Sequence, residues 1–104
     1  MQVYFDQLTS LLDTFPIHNS QRSADQLFKI LSKYKSILDV VNKTNDDLKR
    51  NTNMHYTELD DIEFDIKQSQ HANSQKQKDQ SFKEAIGHLH DDISSLASLI
   101  KPHD

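Results

Sequence analysis

The residues best equipped for chemistry in this chain are six histidines: His18, His55, His71, His88, His90 and His103. A helical metal site of the H-E-x-x-H kind needs two histidines four positions apart on one face. No pair here has that spacing. His88 and His90 stand two apart and point to different sides of a helix. His88 and Asp92 have the i, i+4 spacing and would supply half of a zinc site. The expectation is therefore solvated surface histidines, with no metal and no cofactor. His55 is the exception, as a polar residue tolerated on an apolar seam or setting its register. The chain has no cysteine, which excludes a disulfide scaffold, a thiolate zinc site and a cysteine nucleophile. Its single glycine, Gly87, excludes the Gly-rich loops that bring backbone close to phosphate. It equally excludes a glycine-flanked nucleophile elbow, and no catalytic residues are expected.

Glu58, Asp60, Asp61, Glu63 and Asp65 place five carboxylates within eight residues. Paired carboxylates act as acid and base only where a shielded site drives their pKa values apart. On a helix flank the expectation is a solvated charged face or, alternatively, an acidic docking strip for a basic partner. Lys29, Lys33, Lys35, Lys43, Lys49 and Arg50 lie further upstream, so the two charged halves would favour antiparallel association. A third candidate is the stretch Ile86-Gly87-His88-Leu89-His90-Asp91-Asp92-Ile93-Ser94-Ser95-Leu96. Around Gly87 and His88 it resembles the motif of histidine phosphotransfer domains, roughly His-x-Leu-Lys-Gly followed by small residues. The resemblance implies a four-helix bundle whose exposed His88 accepts a phosphoryl group. The stretch departs from the motif at two positions. Asp91 stands where a lysine would stabilise the phosphoryl group, and Asp92 replaces the glycine that makes room for it.

The elements that must carry these residues follow from apolar periodicity. Tyr4, Phe5, Leu8, Leu11, Leu12 and Phe15 recur at helical spacing and predict a helix over about 3–15, ended by Pro16. Ser23 with Gln26 three residues on has the form of a capping box. From Leu27, steps of four and three run through Leu31, Tyr34, Leu38, Val41, Asn45, Leu48, Thr52, His55, Leu59, Ile62 and Ile66. That is a heptad seam held in one phase. It predicts one long helix over about 24–67, ~65 Å long at 1.5 Å per residue. Asn51-Thr52-Asn53 is its weak point and the place for a bend. The stretch 68–81 is polar, and the apolar ladder beyond it is out of phase with the seam before it, so it is expected to be a reversing linker. Phe82, Ile86, Leu89, Ile93, Leu96 and Ile100 predict a last helix over about 82–100, capped by Ser81 with Glu84 and closed by Pro102. Gly87 inside this helix hints at a close helix crossing.

The whole is an all-α, single-domain chain: a short N-terminal helix, a long heptad-patterned helix and a C-terminal helix. They form an antiparallel hairpin or small bundle of coiled-coil character. At 104 residues, with 35% apolar and 27% charged side chains, the chain is short and polar. Two shorter helices would leave part of a long seam exposed, which points to partner helices. Leu38, Val41, Asn45, Leu48, Leu59, Ile62 and Ile66 are the expected partner-binding residues. Asn45 and Thr52 would set register and partner number.

The expected function is that of a non-catalytic helical subunit of a multiprotein assembly, in the style of kinetochore, spindle, vesicle-tethering or Mediator-type complexes. A homodimeric coiled coil is the alternative. The net charge of −4 argues against nucleic acid as a partner. No run is long enough to span a membrane, and the start lacks the basic region of a signal peptide. An intracellular setting, cytoplasmic or nuclear, is expected, and the Asn/Gln/Ser-rich composition fits a eukaryotic source. Nothing in the sequence calls for a small-molecule substrate.

Overall fold

A computed structural model describes residues 2–100. Its helices are α1 (Gln2–Asp13), α2 (Gln21–Thr44), α3 (Lys49–Ser69) and α4 (Gln75–Leu99), with a 3-10 turn at Asp46–Leu48 between α2 and α3. There is no strand among the described residues. Pro102 and His103 lie outside them.

The expected long helix is two helices. α2 stops at Thr44 and Asn45 caps it, its backbone N–H and side-chain Nδ2 both donating to the Val41 carbonyl. Asn45, Asp46 and Asp47 are consecutive residues whose short polar side chains compete for backbone hydrogen bonds and favour caps and turns. The chain reverses there. Asn42 donates to Thr52, the Tyr56 hydroxyl to Asp39, and the Tyr34 hydroxyl meets His55 Nδ1 at 3.1 Å. These pairings make α2 and α3 an antiparallel hairpin. The break thus falls upstream of Asn51-Thr52-Asn53, which lie in unbroken helix. The steps Val41, Asn45, Leu48, Thr52 stayed in phase because a short turn returned the apolar face to the same core. Phase alone does not distinguish a rod from such a hairpin.

Helix starts also move. Ser20, not Ser23, caps α2, and Ser23 takes the third helical position usually held by Glu or Gln. The Ser23 N–H donates to Ser20 Oγ at 3.1 Å, and the Ser20 N–H donates back to Ser23 Oγ at 2.8 Å. Ser74, not Ser81, caps α4 and accepts from the Gln77 N–H at 3.2 Å. The expected linker 68–81 therefore shrinks to a few residues, because its Gln and Lys residues are good helix formers even without an apolar face. A Cβ added at Gly87 would meet nothing within 4 Å, so no helix crosses closely there.

Packing follows from the reversals. α1 runs antiparallel to α4, with Phe15 against Phe82 at a ring separation of 5.9 Å and His90 Nε2 on Asp13 Oδ1 at 3.1 Å. α4 returns antiparallel along α3, the most extensively packed pair of the bundle, and α3 along α2. The result is an up-down-up-down arrangement measuring 47 × 24 × 17 Å. One core unites Phe5, Leu8 and Leu12 of α1 with Tyr34, Leu38 and Val41 of α2. Ile62 and Ile66 of α3 and Phe82, Leu89, Ile93 and Leu96 of α4 complete it. Tyr4 and Leu11, expected on the packed stripe of α1, face outward, because the neighbouring helices cover a narrower arc of α1 than those six residues span.

Asn19 in the α1–α2 connector locks one end. Its N–H donates to Asp79 Oδ1 at 2.7 Å and its Nδ2 to Ser69 Oγ at 2.8 Å and the Lys78 carbonyl at 3.2 Å. Gln75 donates to its carbonyl at 2.9 Å. One buried side chain thereby ties the connector to both ends of the α3–α4 turn.

Candidate functional site

The fold closes most of the predicted partner seam on itself. Leu38, Val41, Leu59, Ile62 and Ile66 are buried in the core of this chain, and Leu48 and Asn45 are half-buried at the α2–α3 turn. The polar seam residues are satisfied internally. Thr52 accepts from Asn42 and donates to the Lys49 carbonyl at 3.0 Å. These residues hold the hairpin together and present no open face.

Two surfaces remain. The first is a groove between α3 and α4. Glu58, Asp61 and Asp65 fall on one side of α3 at i, i+3 and i+7. They face His88, Asp91 and Asp92 of α4 across a volume of about 390 Å³ floored by Ile62. No lysine or arginine lines it. Asp60 and Glu63 leave this cluster. Asp60 is solvent-facing, and Glu63 turns to the α2 side and pairs with Lys67 at 3.3 Å. The acidic strip legible in the sequence is thus three residues of α3 completed by two of α4.

One end of the groove is partly buried. The Tyr34 hydroxyl donates to the Asp92 carbonyl at 3.2 Å, so its oxygen accepts from the Nδ1–H of His55. Burial holds His55 below the ordinary imidazole pKa, outweighing the opposite pull of Glu58. At neutral pH the 4.0 Å approach of Glu58 to Nδ1 is therefore not an ion pair. Burial pushes Asp92 up to about 8, helped by hydrogen bonding and charge from Glu58 and by the charge of Asp91. Burial raises Tyr34 as well, with Asp92 and Glu58 adding to it. Sequence reasoning paired Asp92 with His88, its neighbour along the helix. The fold pairs it with His55 from another helix, and no local spacing encodes that.

The other histidines scatter. His88 is exposed and lies among Asp65, Glu84 and Asp91, whose carboxylates repel a phosphoryl group. His90 bridges α4 to α1, His18 approaches Asp79 at 3.8 Å, and His71 is exposed.

The second surface is the outside of α1. Val3 and Leu11 are 64% and 47% exposed, flank an open depression with Asp6, Gln7, Ser10 and Thr14, and have Tyr4 beside them. Val40, Met54, Phe64 and Leu99 are also exposed, but they are dispersed over the other three helices, as single apolar residues on a surface usually are.

No protein-family model, no curated protein and no solved structure matches this chain. No helix among the described residues is long and apolar enough to cross a membrane.

Proposed function

We propose that this chain is a non-catalytic helical subunit that works by helix-to-helix contact with another protein, docking through the outer face of α1. The observation that carries this reading is the exposure of Val3 and Leu11 on the side of α1 turned away from the core. α1 thus has two apolar sides, and the rest of the chain, chiefly α4, covers only one of them. Its only charged residues are Asp6 and Asp13, so the fitting partner is a helix whose apolar stripe is edged by lysine or arginine. The heptad seam serves this function indirectly, by building a self-sufficient bundle that presents α1. Assemblies of kinetochore, spindle, vesicle-tethering or Mediator type are the proposed setting, in the cytoplasm or nucleus. A core that needs no disulfide supports that location.

The test uses affinity capture with wild type, Leu11→Asp and a Lys33→Asp control, alongside light scattering of the isolated chain. The expected result is a monomer whose specific partners are lost with Leu11→Asp and kept with Lys33→Asp. Capture unaffected by Leu11→Asp would overturn the docking face. A dimer that Leu11→Asp dissociates would replace the hetero-partner with a second copy of this chain.

A further inference from the structure

The sequence holds no helical metal motif, yet the fold assembles a donor set from two helices. His55 and Glu58 stand one turn apart on α3, and Asp92 meets them from α4. One ligand atom from each lies within 4.8 Å of the other two, and His55 Nδ1 is 4.0 Å from Glu58 Oε2. We infer that His55, Glu58 and Asp92 form a binding site for a divalent transition-metal ion of the zinc class, clamping α3 to α4 with one coordination position open to the groove.

Three observations carry this beyond a mere cluster of acids. The first is Asp92 Oδ2, which is shut off from solvent and has no N–H or hydroxyl donor; its carboxyl instead meets that of Glu58, a contact that requires a shared proton or a cation in its place. A buried carboxylate oxygen without a donor is costly and calls for a proton or a cation. The second is the imidazole. His55 is only 6% exposed, so its Nδ1 is held inside the fold, 4.0 Å from Glu58 Oε2, rather than in solvent. The third is the absence of any cationic side chain to do the job instead. The polar groups that line the groove with Glu58 and Asp92 are Asp61, Asp65, His88 and Asp91. The three aspartates among them raise the local concentration of cations without neutralising the site.

Geometry and donor type select the ion. Zinc at ~2.0–2.2 Å from each donor would hold the ligand atoms ~3.3–3.6 Å apart, so the set must close by up to ~1.5 Å. Glu58, with its side chain about half exposed, has the rotamer freedom to provide that closure. Ligation through Nδ1 replaces the contact with the Tyr34 oxygen and moves the imidazole proton to Nε2. The Tyr34 hydroxyl keeps its bond to the Asp92 carbonyl. One nitrogen and two carboxylate oxygens suit zinc and its neighbours, whereas magnesium and calcium take all-oxygen shells.

The inference stands apart from the α1 docking face, and its test needs no partner. Tag-free chain is stripped with EDTA, dialysed and titrated calorimetrically with zinc, and its melting is followed by circular dichroism. The expected result is one zinc ion per chain and a raised Tm, with magnesium producing no comparable rise. Glu58→Gln, His55→Gln and Asp92→Asn should each weaken zinc binding by roughly tenfold or more. His88→Gln and Asp65→Asn, in the same groove but outside the donor set, should bind as wild type does. Glu58→Gln is decisive even if the two more buried variants fold poorly, because its side chain reaches solvent. No binding at millimolar zinc would overturn the site. So would equal responses to zinc and magnesium, or loss of binding with His88→Gln but not with Glu58→Gln.

Discussion

Asp92 concentrates the tension of this structure in one side chain. Burial, a hydrogen bond and charge from Glu58, and the charge of Asp91 push its pKa up to about 8 from an ordinary 3.8, and one of its oxygens is shut off from solvent. The folded chain then holds a proton that the unfolded chain has released at pH values between about 4 and 8. A raised folded-state pKa contributes stability that is fully present below the unfolded value and is lost as pH rises through the folded one. In EDTA, the Tm of Asp92→Asn relative to wild type should therefore increase from pH 4 to pH 8. Thermal melts at several pH values check this, and a constant difference would refute it. His55 acts in the opposite sense, since its lowered pKa costs stability as pH falls below 6.5. Local spacing showed Asp92 on the same face as His88. It could not show His55, thirty-seven positions away in the sequence, because that contact exists only after α3 and α4 are laid side by side.

At the scale of elements, the helices form where apolar periodicity and caps coincide, and their ends are decided by small polar residues. Ser20, Asn45 and Ser74 mark three of these ends, and none was the residue that spacing favoured. Cap signals are degenerate in a chain so rich in serine and asparagine, because many residues satisfy the same local pattern. Gly87 is the residue of α4 with the lowest helix propensity. It is exposed, and a Cβ there would touch nothing. Gly87→Ala should therefore stabilise the chain by about 0.5–1 kcal/mol, through the entropy glycine loses on entering a helix. Urea denaturation measures this, and a loss of stability would mean that another chain packs closely against α4 at that point.

For the molecule as a whole, the decisive fact is that the seam has a partner within the chain. Ile62 lies in the core between α3 and α4, so Ile62→Asp should cost several kcal/mol of the ~5–15 kcal/mol available to a domain. The expected outcome is a largely unfolded chain by circular dichroism, and a normally folded Ile62→Asp would show that the core is open there. Leu11→Asp, on the outer face of α1, should leave the unfolding free energy from urea titration nearly unchanged, within about 0.5 kcal/mol. The two substitutions separate a residue that builds the bundle from one that would meet a partner, a distinction invisible to periodicity.

The amino-acid order by itself determined the helical class and most of the residues that turn inward. A side chain's face on a helix depends only on its neighbours three and four positions away, so Leu27, Leu38, Leu59, Ile66, Phe82 and Ile93 were legible. Tertiary structure decided what those faces meet. A tight reversal at Asn45–Leu48 leaves the apolar phase unchanged while turning a rod into a hairpin. The same reversal, with the one at 70–74, sets Tyr34, His55 and Asp92 together and leaves Val3 and Leu11 outside. Periodicity is local and chain reversal is not, and the candidate sites of this protein arise where the reversals bring distant turns into contact.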